Sequence, residues 1–386
     1  MAQERFAPIL DSIRQAAVQA ETERKLPFEA ITLLKNAGFT AIRIPVRFGG
    51  LGLSLVDLFE FVIDLAAADS NIAQALRAHF GLVEHLLCVP EGDYATRWFT
   101  RLGRGEIAGA AAAEAPHASR DRFETSLTEH DGLWRINGTK FFTTGSLYAD
   151  WLTVTATTAD GRTAKCIASR HDPGLEIVDD WDGIGQRLTA SGTAHFTNVK
   201  AQDNEYHFGN TEFPYSQAFF QLYHLATAAG IAQAAARSVA DAVRQRKRGF
   251  THGNSETPAT DPQILEIVGK VSSAAFAATA IVRQAARALQ AAYESGEPER
   301  GPAVIRAELE VWQAQEIIFP LTLEATTLLF DTLGGTATLR RTALDRFWRN
   351  IRTIACHNPR VYRTRVVGDY AVNGTLPPEQ WRVGTV

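Results

Sequence analysis

From Ala2 to about Leu102, apolar residues recur every three to four positions, as in LPFEAITLLKNAGF and LVDLFEFVIDLAAA. This spacing predicts a run of helices, interrupted at the Gly/Pro signal IPVRFGGLGLS. Between about Ile107 and Phe213 the period changes. Short alternating or β-branched runs, WRINGTKFFTTG, WLTVTATT and GTAHFTNVKA, are punctuated by HDG, NGT and ADG turns, which predicts a β-barrel or compact sheet. After Pro214 the helical period returns and holds through AFFQLYHLATAAGIAQAAARSVADAV and the long alanine-rich segments that follow it. Alanine allows close helix contact, and these segments predict a bundle, packed within the chain or between subunits. The expected architecture is α+β in three parts: helices over 1–106, a β domain over 107–213 and a helical bundle over 214–386.

Composition narrows the function. A chain of 386 residues exceeds what one hydrophobic core usually organises, which supports more than one packed unit. No apolar run reads as long enough to span a bilayer, and the first residues lack the apolar centre of a secretory signal, so a cytoplasmic protein off the membrane is expected. A net charge of -4, with RQRKRGF as the one dense basic run, gives no field for nucleic acid. Cys88, Cys166 and Cys356 form no CxxC, and His79 and His85 are spaced off one helix face, so neither a disulfide scaffold nor a metal centre is expected. No GxGxxG follows a strand and no P-loop or Ser-His-Asp order appears, so a tightly held NADH site is not expected.

The segment NGTKFFTTGSLYADWLTVTA resembles the middle of the acyl-CoA dehydrogenase superfamily, with its Asn-Gly-x-Lys turn, a short strand ending in Thr/Ser and a downstream Ala-Asp. LPFEAITLLKNAGFTAIRIPVRFGGLGLS, GQRLTASGTAHFTNVKA and FDTLGGTATLRRTALDRFWRNIRT resemble further signatures of that superfamily, in the same order along nearly the whole chain. The resemblance implies an α, β, α arrangement, a flavin bound by the β domain and the C-terminal helices, and a homotetramer. A dehydrogenase of this family removes an α-proton with a carboxylate, in many members from the C-terminal segment. Here that segment reads RTIACHNPRVYRTRVVGDY and holds no glutamate.

The same segment resembles flavin-dependent monooxygenases of the dibenzothiophene and sulfur-acquisition type, whose tails share the pattern WRNxRT, HNP and VGDY. In that branch reduced flavin reacts with O2 to form a C4a-hydroperoxide, which gives one oxygen to a soft nucleophile. The resemblance implies an FMNH2-dependent oxygenase acting on a small organosulfur compound, fed by a separate flavin reductase. His357 matches the HNP histidine and would handle a proton near the flavin; helix-terminal hydrogen bonding is its alternative role. His79 matches a second active-site histidine, against a hydrogen-bonded packing role. Thr144 matches a hydroxyl facing flavin N5, and Thr143, read as alternating to the other strand face, would contribute through its backbone. Trp181 would cover the flavin, against a core packing role, while Arg248 and Phe250 match an Arg-x-x-Phe region that reaches the flavin phosphate from a neighbouring subunit. Gly334 and Gly335 match the family's Gly-Gly turn without its preceding glutamine, which favours FMN over FAD. An FAD-dependent acyl-CoA dehydrogenase using another acid, an amine N-hydroxylase and a non-catalytic flavin-binding scaffold are the competing readings.

Overall fold

The computed structural model of the chain describes residues 2–114, 123–209, 213–296 and 300–378. Among them, α1 (Ala2–Glu23), α2 (Phe28–Asn36), α3 (Leu55–Ala68), α4 (Ser70–Ala75), α5 (Arg77–Cys88) and α6 (Asp93–Gly103) come first. The strands are β1 (Ala108–Ala111), β2 (Ser126–His130), β3 (Leu133–Lys140), β4 (Trp151–Thr158), β5 (Thr163–Ser169), β6 (Leu175–Val178) and β7 (Thr193–Phe208). Then follow α7 (Ser216–Gln245), α8 (Pro262–Glu294), α9 (Arg300–Leu328), α10 (Asp345–Ala355) and α11 (Val361–Asn373). The chain has the acyl-CoA dehydrogenase-like order of helices, strands and helices. Its packing, though, gathers into two units: residues 1–53 with 71–214, and residues 54–70 with 215–386.

In the β-rich unit, strand pairing closes on itself. β4 pairs β2, β2 pairs β3, β3 pairs β7, β7 pairs β5 and β5 returns to β4, while β1 extends β4 and β6 extends β7. Closure removes the exposed edges that an open sheet would present. The inward positions of these strands, among them Leu127, Ile136, Leu152, Val154, Ala164, Phe196 and Val199, form one buried cluster. The sequence Asn137-Gly138-Thr139-Lys140, read above as a turn, is instead the bulged end of β3, with the register shift between Ile136 and Gly138. Gly138 sits at φ +143, and a Cβ there would come within 2.7 Å of the Thr125 backbone, so the motif's glycine serves a bulge against a neighbouring segment.

The helical unit recruits α3 out of its sequence neighbourhood. That helix is capped by a reciprocal Ser54/Asp57 box and is apolar nearly all round, which demands burial on several sides. It packs on α7 and α8. Gly230 of α7 permits the approach, since a Cβ there would lie 2.5 Å from the Ala66 methyl and from the Ile63 carbonyl. The expectation of no bilayer-length apolar run needs correction at α8, which is long and apolar enough by composition, with a mean hydropathy of 1.5 over 18 residues. Its alanines raise the average. Inside the unit it behaves as a bundle helix, with Ala278, Val282, Ala285 and Leu289 buried and Arg283 paired to Glu60 of α3 at 2.6 and 2.9 Å.

Candidate functional site

The two units carry separate groups of candidate residues. Thr143, Thr144, Trp181 and His79 belong to the β-rich unit, and Arg248, Phe250, Gly334, Gly335 and His357 to the helical one.

Thr143 and Thr144 do not alternate along a strand as expected. They lie on a turn beyond the end of β3, reached through Phe142 at φ +54, where a side chain is strained. Thr143 is fully buried, and its amide and hydroxyl both donate to the Gly192 carbonyl, at 3.0 and 2.8 Å. Its role is to pin the turn to the loop before β7. Gly145 follows at φ +81, where a Cβ would meet the Ala75 carbonyl at 2.3 Å. The half-buried Thr144 hydroxyl lies 2.8 Å from Ser191 Oγ, which lies 2.7 Å from Thr189 Oγ1. Thr189 in turn donates to the Gln186 carbonyl at 2.8 Å. Gln186 and Ala190 of this loop also hold positive φ, at 53 and 51. Such strain persists where surrounding bonds over-determine it, commonly at functional loops.

Trp181 packs edge-on against Phe142, with ring centres 5.7 Å apart, and its indole N–H donates to the Gly185 carbonyl at 3.1 Å. Phe142 and Ile184 are exposed. The set therefore offers an apolar surface beside a hydroxyl backed by a hydrogen-bonded chain. That chemistry suits an aromatic ring with a polar edge, which is what an isoalloxazine presents.

His79 is different. It is fully buried on α5, its Nε2–H donates to the Thr40 carbonyl at 2.7 Å, and its Nδ1 accepts from the Ala108 amide at 3.4 Å. Burial pushes its pKa down to about 4, against a raising effect from the Thr40 bond, so the ring is neutral with both nitrogens engaged. Through Ala108 it braces β1, whose Ala110 amide holds the Thr144 carbonyl at 3.0 Å. The packing role explains this geometry better than proton handling.

In the helical unit, α10 buries Phe347, Ile351, Ile354 and Ala355 along one face against α7 and α9. His357 comes two residues past its end, its amide bonded to the Ile354 carbonyl at 3.0 Å and its side chain exposed. The ring lies against His224 of α7, with centres 4.4 Å apart and planes 46° apart, and His224 is only 1% exposed. No sequence signal announces His224, a single histidine in an apolar helix 133 positions upstream, a separation given by 357 minus 224. Glu308 of α9 is a buried carboxyl whose pKa is raised to about 7 by burial, with Arg363 of α11 opposing the shift.

The basic run is brought to the Gly-Gly turn. Arg246 donates to the Leu333 carbonyl at 2.7 Å and lies over the Phe250 ring, and that ring would sit 3.2 Å from a Cβ on Gly334, which holds φ +57. Arg246, overlooked in the sequence, is thus the structural arginine. Arg248 is exposed, and among the described residues no ion pair or side-chain hydrogen bond engages its guanidinium. Gly335 is exposed, with open space where a side chain would be. An unengaged guanidinium is a suitable donor for a phosphate.

Residues 2–106 match the family model "Acyl-CoA dehydrogenase, N-terminal domain", and residues 222–359 match "Acyl-CoA dehydrogenase, C-terminal domain". The chain is 26% identical to dibenzothiophene monooxygenase of Rhodococcus qingshengii, over 89% of this chain and 86% of that protein. It is 27% identical to the probable FMNH2-dependent monooxygenase SfnC of Pseudomonas putida, over 94% and 92%. Among solved structures it matches TdsC from Paenibacillus sp. A11-2, crystallised with FMN and indole, at a TM-score of 0.89 and 26% identity, over 98% of both chains.

Proposed function

The chain belongs to the acyl-CoA dehydrogenase family, in its flavin-dependent monooxygenase branch, and from that premise we propose that it is the oxygenase of a two-component system that oxygenates a small organosulfur compound. Reduced FMN supplies two electrons when bound; with O2 they place one oxygen atom on sulfur and release the other as water. A separate reductase class must furnish the FMNH2. The observation that carries this reading is an imidazole, His357, exposed at the end of α10 and seated on a second imidazole, in the segment where many dehydrogenases hold a carboxylate.

The residues take the following roles. Thr144 receives the N5 edge of the flavin and Phe142 and Trp181 supply apolar surface for the ring, while Arg248, beside the turn at Gly334, Gly335 and Phe250, reaches the phosphate of a flavin held by a neighbouring subunit. His357 holds or returns a proton at an imidazole nitrogen. His79 is assigned to packing. We place the protein in the cytoplasm, as a homotetramer; the exposed Leu265 and Phe276 of α8, eleven residues apart and so on one helical face, support burial against another copy.

The test is anaerobic loading with reduced FMN, then mixing with oxygenated buffer with and without a panel of thioethers and sulfinates. Oxygenated sulfur product, with flavin reoxidation slower than for free FMNH2, supports the reading. Bleaching of bound flavin by an acyl-CoA without reductant would instead establish the dehydrogenase alternative, and Glu308 would become the acid to examine.

A further inference from the structure

We infer that the hydroxyl chain Thr144, Ser191, Thr189 is proton-ordered, so that Thr144 meets the flavin as an acceptor only and selects reduced over oxidised FMN. The inference rests on the reading of Thr144 as the group at flavin N5. It begins with counting protons. The chain makes three short contacts: Thr144 Oγ1 to Ser191 Oγ at 2.8 Å, Ser191 Oγ to Thr189 Oγ1 at 2.7 Å, and Thr189 Oγ1 to the Gln186 carbonyl at 2.8 Å. Three hydroxyls bring three protons.

A carbonyl can only accept, so Thr189 must give its proton to Gln186. Ser191 must then give its proton to Thr189, and Thr144 must give its own to Ser191. No other assignment makes all three bonds, and any reversal sets two lone pairs against each other at hydrogen-bond distance inside a buried loop. Thr189 and Ser191 are 1% and 7% exposed, so water offers little relief. The secondary contact of Thr144, to the Phe142 carbonyl at 3.4 Å, would draw the same proton inward as well. What Thr144 has left to present is a lone pair.

Flavin N5 carries a hydrogen when reduced and a lone pair when oxidised. An acceptor-only hydroxyl therefore bonds the reduced ring and faces the oxidised ring with lone pair against lone pair. The loop is built to keep this order. The terminal acceptor is held at Gln186 by strained backbone, φ 53, and the turn carrying Thr144 is fastened to the same loop by Thr143 at Gly192. Such a preference serves an oxygenase that must draw FMNH2 from solution and release FMN.

The experiment measures anaerobic affinities for FMN in both redox states, without turnover, by flavin fluorescence for the oxidised form and competition for the reduced form. Ser191→Ala and Thr189→Val each break the order and free the Thr144 proton to point outward. Each should tighten oxidised FMN and lower the ratio of oxidised to reduced dissociation constants by roughly tenfold, the weight of one hydrogen bond. Thr144→Val should weaken reduced FMN by a similar factor without weakening oxidised FMN, since it removes the bond to the one and the lone-pair opposition to the other. If Thr144→Val changes neither affinity, the placement of Thr144 at N5 fails and this inference falls with it. If Thr144→Val acts as stated but Ser191→Ala and Thr189→Val leave the ratio unmoved, the placement survives and the proton order is refuted.

Discussion

The hydroxyl shelf of the β-rich unit and the histidine pair of the helical unit are fixed by different means. The shelf, Thr143 through Ser191, is held by a dense set of short hydrogen bonds, three side chains at positive φ and a glycine pressed on a carbonyl. His357 lies past a helix end, its amide bonded to the Ile354 carbonyl and its exposed ring set against the face of His224. A group that only receives one fixed hydrogen bond benefits from complete preorganisation. A group that must take and return a proton needs access to water and a ring whose charge can change. The contrast teaches which histidine to trust. His79, fully engaged and buried, is constructed like the shelf and braces it, whereas the exposed ring of His357 fits the proton role proposed for it.

The sharpest way to break this comparison is to exchange the predicted effects of the two histidines. His357→Ala should lower oxygenated product by roughly 100-fold or more, the usual weight of a general acid or base, with stability changed by no more than about 1.5 kcal/mol, the weight of its ring contact with His224. Product assays and urea midpoints on one preparation check both. His79→Ala should do the reverse and cost about 3 kcal/mol, from the cavity and from the Thr40 carbonyl and Ala108 amide left without the ring. The sign of its pH dependence follows from a folded pKa of about 4 against the ordinary 6.5. Between those values the unfolded chain binds a proton that the folded chain refuses, so stability falls as pH drops from 6.5 toward 4, by about 3 kcal/mol in all. His79→Gln, which keeps a donor for Thr40 without titrating, should flatten that part of the urea-midpoint profile. An unchanged slope would remove His79 from the account of acid stability.

How far the sequence revealed this arrangement differs between the same two regions. The change of hydrophobic period marked the strands to within a few residues, because alternation and helical spacing are local properties. The Asn-Gly pair was misread as a turn because a bulge glycine and a turn glycine look alike until the partner strand is known. Thr144 was singled out through family resemblance, but its contacts with Ser191 and Thr189 were not, since nothing in TASG shows that the loop folds back on the turn. His224 was invisible for a stronger reason: its meaning lies in a contact with a residue past the end of another helix. In RQRKRGF the basic character was plain, and only the fold could sort Arg246, tied to Leu333, from Arg248, left exposed.

That sorting yields a smaller effect. Arg248→Ala should weaken FMN by roughly 10- to 100-fold, as expected for loss of a charge-assisted bond to phosphate, and should leave riboflavin, which lacks the phosphate, unaffected. Arg246→Ala should instead loosen the segment around Phe250 and Leu333, lowering the urea midpoint and weakening both flavins alike. Titrations with FMN and riboflavin in parallel distinguish the two arginines. If Arg248→Ala weakened riboflavin as much as FMN, the phosphate role would be withdrawn.

The smallest effect concerns the ring under His357. An aromatic contact of this kind contributes about 0.5–1.5 kcal/mol, so His224→Ala should lower the coupling of flavin oxidation to product by roughly two- to tenfold. His224→Phe keeps an aromatic face without a proton and should restore most of it. The control is the double variant: in a His357→Ala background, His224→Ala should have no further effect on coupling, because it acts only by positioning that imidazole. Equal losses in both backgrounds would mean that His224 supports α7 packing and nothing more. If His224→Phe failed to rescue while His224→Gln did, the buried ring would be relaying a proton rather than orienting its neighbour, and the helical unit would then be ordering protons as the hydroxyl shelf does.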